Sequence, residues 1–366
     1  MSARMSALSR YLLRAAIFGI ATALGAVLAA IMLIDLVEQM RSVGARTDLS
    51  LIQAAQLTLM KAPILIEQTL PFVVLAGVMI GMIQLNRRSE LIAMRAAGVS
   101  AWRFTMPAIL FSFLLGAAVI TGLNPIGSRL YGQFEGQRDA LLAQRLGPQT
   151  ERGVWLRQGD ALGQVVIQAE SVDPREGLLR NATFFFFQLQ DDTLRFERRM
   201  RVDEALLRNG FWQLSGVVEG VPGEEPVRQD TLAIPTSLDG GDLLERFVTP
   251  ATLSFWSLPT FIAEAKEAGL SPLRFEIKWT SLIAYPLLLA AMAALGAVFS
   301  LRMQRMGNIA AWGGLGVSLG LGLFFFAQFS QALAITEAVP PMVAAFSAPL
   351  AGLFCALGIV CFLEDG

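Results

Sequence analysis

Long apolar runs alternate with short polar islands at both ends of the chain, and the pattern changes in the middle. Runs at about 13–36, 64–85 and 102–123 precede the change, and runs at about 277–300, 309–330 and 341–362 follow it. Each has the ~20 residues that carry a helix across a ~30 Å hydrocarbon core. From about 129 to 255 charges are frequent and apolar residues alternate with polar ones, the period of a half-buried strand. Alternation puts Leu194, Phe196, Met200 and Val202 on one face of a strand, opposite Arg195, Glu197, Arg199 and Arg201. Asn209-Gly210 between two apolar segments is a hairpin signal, and Val165 to Ile167 and Phe184 to Phe187 supply further strands. A short amphipathic helix at 258–270 leads back to the apolar runs. The expected fold is therefore a membrane α-helical protein of six transmembrane helices, three on each side of an inserted all-β domain. That domain reads as a sandwich or jelly roll rather than α/β.

The polar islands have distinct chemistry. Asp35, Glu38 and Arg41 end the first run, and an amphipathic approach at 48–62 ends in Lys61 and Pro63. Glu67 and Pro71 lie inside the second run, where a carboxylate is tolerated only near the interface or facing protein. Residues 86–98 form the island with the most internal structure. Arg87, Arg88 and Arg95 surround Leu91, Ile92 and Met94; Ser89 stands as an N-cap, Glu90 in the first turn, and Gly98 as a left-handed C-cap. This predicts a short, half-apolar helix outside the bilayer, either docking into a partner or resting on headgroups. Arginines concentrate before the first run, between the second and third, and at Arg302 and Arg305. Counting from either end places these segments, and both termini, on the cytoplasmic side, with the β domain on the far side.

Composition then narrows the chemistry. The chain is 54% hydrophobic and 16% charged, against about 25% charged in soluble domains. A net charge of -1 gives no reason to expect nucleic acid. There is no histidine, which removes histidine-based catalytic triads and histidine-ligated zinc. None of the three lysines completes a phosphate-binding GxxxxGK[ST] loop, so any ATP must be held by another chain. Cys355 and Cys361 share the last run, six residues apart and poorly placed to pair. Three functions fit these parts: a transporter subunit driven by a separate ATPase, a mechanical transmitter or sensor linking the outer domain to the inner helix, and an intramembrane enzyme. The last is weakest, since no nucleophile–base pair stands within the spans. Arg41 and Arg129 fit anchors of helix ends to headgroups. Glu67 fits a snorkelling interface residue, and Phe184 to Phe187 and Phe324 to Phe326 fit core or lipid-facing surface.

Arg88-Ser89-Glu90-Leu91 with Met94 and Ala97-Gly98, after the Pro71 run, resembles the LptF/LptG family of lipopolysaccharide-export permeases. The Asp35 to Arg41 segment, the Gly153-Val154-Trp155 opening of the β domain, Arg274-Phe275 with Trp279 and Pro286, and Pro340-Pro341 are similar to the family's in the same order. Gly153 to Trp155, Glu38-Gln39 and Trp279 lie nearer the LptG pattern than the LptF pattern. The resemblance implies a permease, not an enzyme. It implies a Gram-negative inner-membrane complex with an LptF-like paralogue, an LptB-like ATPase dimer, and LptC-like and LptA-like β-jellyroll proteins. ATP and magnesium belong to the ATPase, and no cofactor to this chain. It further implies that the 86–98 helix, with Arg87, Arg88, Ser89, Glu90, Leu91, Met94 and Arg95, couples to the ATPase. Basic residues near the outer ends of the first and third spans meet lipid phosphates in this family. Arg41, Lys61, Arg129 and Arg138 are the nearest here, with Gly132 and Glu135 where arginines are expected. The β-jellyroll interior, including Phe196 and Met200, would lie along the lipid's path.

Overall fold

The computed structural model describes residues 7–44, 49–87, 90–143, 154–159, 163–173, 177–190, 193–208, 210–221, 225–236, 248–267, 270–306 and 309–364. In chain order the helices are α1 (Ala7–Ser42), α2 (Leu51–Arg87), α3 (Glu90–Ala96), α4 (Ala101–Ala118), a π-helical turn (Val119–Leu123) and α5 (Asn124–Ala143). Strands β1 (Val154–Gly159), β2 (Gly163–Asp173), β3 (Leu178–Gln190), β4 (Thr193–Arg208), β5 (Phe211–Gly220) and β6 (Val227–Pro235) follow. Then come α6 (Leu258–Glu267), α7 (Leu273–Met306), α8 (Ile309–Ile335) and α9 (Pro341–Glu364). The chain divides into two compact units. One is Met1–Leu141, Leu253–Trp256 and Glu276–Gly366; the other is Leu142–Thr252 and Ser257–Phe275.

Among the described residues six helical stretches, in the first unit but for Leu273–Phe275, are long and apolar enough to cross a membrane: Ala7–Ser42, Leu51–Arg87, Trp102–Leu141, Leu273–Ser300, Gly314–Ile335 and Pro341–Phe362. Apolar burial gives little drive between helices in lipid, so small residues that let backbones approach set the contacts. Gly19 on α1 faces the backbone of Gly77 and Gly81 on α2, and Gly81 faces Ala15; a methyl group at any of these glycines would strike backbone atoms. α7 is the most buried of these spans, with 83% of its apolar window buried.

Two of the helices run further than their sequence signals predict. The approach at 48–62 and the second span are one helix, α2, with Pro63 and Pro71 inside it. Likewise Asn124-Pro125 does not end the third span: helix continues to Ala143, and the first described strand is Val154–Gly159. Prolines here orphan carbonyls four residues back, which in lipid must find another donor. Pro71 orphans the Glu67 carbonyl, which accepts from the Tyr285 hydroxyl at 2.6 Å. Pro125 orphans the Thr121 carbonyl in the π-helical turn, which accepts from the Trp256 indole at 3.3 Å. Donors distant in sequence thus keep both helices intact.

The second unit is an antiparallel six-stranded sheet in the order β1-β2-β3-β4-β5-β6. One face is buried: Leu156, Ile167, Ala182, Phe184, Met200, Val202, Trp212 and Leu214 all belong to a single apolar core. Gly210, at a φ of 81°, turns the β4–β5 hairpin that Asn209-Gly210 announces. Just past β6, the Thr236 hydroxyl reaches the edge strand β1 and donates to Gln158 Oε1 at 2.5 Å. α6 belongs to this unit and buries Leu258, Phe261, Ile262 and Ala265.

β4 departs from simple alternation. Phe186 pairs with Arg198 but Phe187 pairs with Phe196, so Glu197 is an extra residue in β4, a bulge. An extra residue exchanges the faces beyond it. Phe196 therefore does not share the face of Met200 and Val202. It lies on the opposite face, 43% exposed, against the ring of Phe187 at 5.8 Å. Arg198 takes the inner position instead, paired with Glu219 at 3.1 Å and standing over the Phe186 ring.

Candidate functional site

α3 has seven residues, too few to be stable alone, so its ends must be held. Its C-terminus closes as the sequence predicts: Gly98 has a φ of 79°, and the Val99 amide donates to the Met94 carbonyl at 3.2 Å. That is the six-to-one bond of a Schellman cap. At the N-terminus Glu90 accepts a 2.6 Å hydrogen bond from the Tyr11 hydroxyl of α1. Glu90 and Met94 are half-buried and Arg87 is exposed. Arg88 and Ser89 lie outside the described residues, as do the side chains of Leu91 and Arg95. The Tyr11 contact is absent from the sequence reading, because nothing local links residues 79 positions apart.

The candidate basic residues divide by partner. Lys61 is engaged within the protein: its ammonium pairs with Asp35 Oδ1 at 2.5 Å and stands 5.4 Å from the Phe134 ring centre. Asp35 is 8% exposed, and Gln39 donates to its other oxygen at 3.4 Å. Arg41, Arg129 and Arg138 are exposed, and among the described residues Arg41 and Arg129 form no ion pair. The phosphate-facing role implied for Lys61 is thus occupied by a carboxylate in this conformation, whereas Arg41 and Arg129 are open.

Glu67 is a hub rather than a snorkelling side chain. It is 6% exposed. Its carboxylate accepts from Lys278 at 2.9 Å and from Asn124 at 2.8 Å, while Asn124 accepts the Phe255 amide at 2.8 Å. Together with Tyr285 on the Glu67 carbonyl, this network ties α2, α5 and α7 together. A sequence signal for it existed: one acid and one of only three lysines, each embedded in an apolar run, have each other as natural partners.

In the β unit Met200 is 2% exposed and sits inside the filled core. Beside it, Phe184 and Trp212 meet edge to face at 6.0 Å, both fully buried. Among the described residues no group of three or more histidine, cysteine or acidic side chains could hold a metal ion.

The whole-chain comparison agrees with this architecture. Residues 10–363 match the family described as "Lipopolysaccharide export system permease LptF/LptG". The "Lipopolysaccharide export system permease protein LptG" of Escherichia coli K12 is 25% identical over 340 residues, covering 86% of each chain. The protein of the same description from Escherichia coli O6:H1 strain CFT073 is similar to the same extent. A six-span helical unit, an inserted antiparallel β unit and a match from near one end to the other converge on one assignment: the chain belongs to the LptF/LptG family of lipopolysaccharide export permeases.

Proposed function

We propose that this chain is one of two permease subunits that together lift lipopolysaccharide out of the inner membrane, using ATP hydrolysed on a separate ATPase dimer that docks at α3. The other permease is an LptF-like paralogue, and the β unit hands the lipid to LptC-like and LptA-like jellyroll proteins. The arginine distribution supports cytoplasmic termini and a periplasmic β unit. Energy must come from outside the lipid's own partitioning, since each CH₂ moved into water costs about 0.8 kcal/mol.

The observation that carries the reading is α3: a short helix capped at its C-terminus and held to α1 through Glu90, with no nucleotide-binding loop anywhere in the chain. A helix held by its own protein at one end can transmit force arriving at its exposed side. Glu90→Lys should reduce lipopolysaccharide transport at least about tenfold while the ATPase stays assembled and hydrolyses ATP. Tyr11→Phe removes only the internal hydrogen bond and separates that contribution from contact with the ATPase. Normal transport by Glu90→Lys would remove α3 as the coupling site.

The filled interior of the β unit favours a second reading, a transmitter that relays ATPase movement to the outer domain without passing lipid through itself. Native mass spectrometry of the purified complex separates the two: bound lipopolysaccharide supports the transporter, and its consistent absence supports the transmitter.

A further inference from the structure

The face of the sheet opposite the buried core carries a groove of about 390 Å³. Arg199 and Arg201 of β4 and Arg228 of β6 border it, with Phe185, Thr183 and Gln168 along its floor. All three arginines are exposed, and none forms an ion pair among the described residues. Arg198, the next residue along β4 but on the inner face, is by contrast paired with Glu219. Arg199 lies across Gly220, its Nε 3.7 Å from where a side chain there would begin. Beside the groove the Trp155 ring stacks on Phe185, with centres 6.3 Å apart and planes 12° apart, and Trp155 is 50% exposed.

Three unpaired guanidiniums around one groove repel one another, and their planar forks match phosphate oxygens. The aromatic pair offers a flat surface of the kind that sugar rings lie against, and the Thr183 hydroxyl can meet sugar hydroxyls. An acidic peptide would use the arginines but not the stacked rings. We propose that this groove binds the phosphorylated saccharide portion of lipopolysaccharide, on the face of the sheet opposite the apolar core. The inference rests on the cargo reading above and deepens it: the β unit would hold the sugar phosphates as well as the lipid. Arg228 stands on β6, an edge strand, so a saccharide can reach the groove around that edge without crossing the sheet.

The test uses the full chain in nanodiscs and three probes: fully deacylated lipopolysaccharide, the same saccharide stripped of phosphate, and oligoglutamate. Binding is followed by calorimetry and by the fluorescence of Trp155, isolated by difference from Trp155→Phe. The phosphorylated saccharide should bind, with affinity falling about tenfold for each of Arg199→Gln, Arg201→Gln and Arg228→Gln. Binding should also weaken as salt rises. All three side chains are exposed, so these variants should retain the parent's melting temperature. Equal binding by the triple variant, equal binding of the dephosphorylated saccharide, or tighter binding of oligoglutamate would each overturn the proposal. If the saccharide fails to bind while intact lipopolysaccharide still copurifies, the groove is wrong and the cargo reading stands. If neither is found, the cargo reading itself falls.

Discussion

Single residues matter most here where charge lies inside the membrane unit. Lys61 with Asp35 and Lys278 with Glu67 are opposite charges brought together from different helices. Breaking such a pair leaves a charge desolvated and uncompensated, whereas neutralising both sides costs little. Lys61→Ala should therefore destabilise the chain in detergent by about 3 kcal/mol, and Asp35→Asn in the same chain should recover most of it. A double-mutant cycle of melting temperatures reads this directly. If Lys61 served only to bind lipid, Asp35→Asn would rescue nothing. Arg41 offers the contrast. It is exposed and unpaired among the described residues, so Arg41→Glu should leave melting and ATPase assembly unchanged. It should lower the yield of lipopolysaccharide photo-crosslinked at neighbouring positions, because it turns attraction for headgroup phosphates into repulsion. An unchanged yield would make Arg41 an anchor only.

At the scale of elements, the α1–α2 contact is set by three glycines rather than by large apolar side chains. Gly77→Leu puts a side chain into the α1 backbone at Ile20 and should force the helices apart, at a cost of about 1–3 kcal/mol or more. Gly25→Leu, on the same α1 but with open space around it, should be neutral. Similar losses in both variants would mean that glycine flexibility, not close approach, is what matters. What was legible in the sequence follows the same division between local and distant causes. Six spans and the Gly98 cap could be read because run length and a left-handed turn are local properties. The extension of α5 past Pro125 could not, because it depends on Trp256, more than a hundred residues away in the chain. The face of Phe196 was missed because a one-residue bulge leaves no mark in the composition of β4, yet exchanges every side chain beyond it. Glu90 was found by its place at a helix start, but its partner Tyr11 was not, since pairing across helices is written in the fold alone.

For the molecule as a whole, the question is how lipid could use a β unit whose interior is already full. Met200, Val202, Phe184 and Trp212 are each 2% exposed or less and belong to one filled core. Among the described residues the strands pair only with their neighbours in sequence, so β1 and β6 are the edges of the sheet, and parting them breaks no ladder of backbone hydrogen bonds between described strands. The side-chain hydrogen bond from Thr236 to Gln158 holds the edges together at one end. Such a bond contributes only about 1 kcal/mol, weak enough to open during each cycle of transport. A covalent clamp at the same place should therefore stop transport if lipid enters between the edges. With Cys355 and Cys361 replaced by alanine, Gln158→Cys with Thr236→Cys should form a disulfide under oxidation. Transport should then fall to background while ATPase assembly persists, and reductant should restore it. Each single-cysteine variant should transport normally under both conditions. Full transport with the disulfide quantitatively formed would mean that lipid never enters between β1 and β6, and that the interior of this unit serves stability while the cargo travels on another surface.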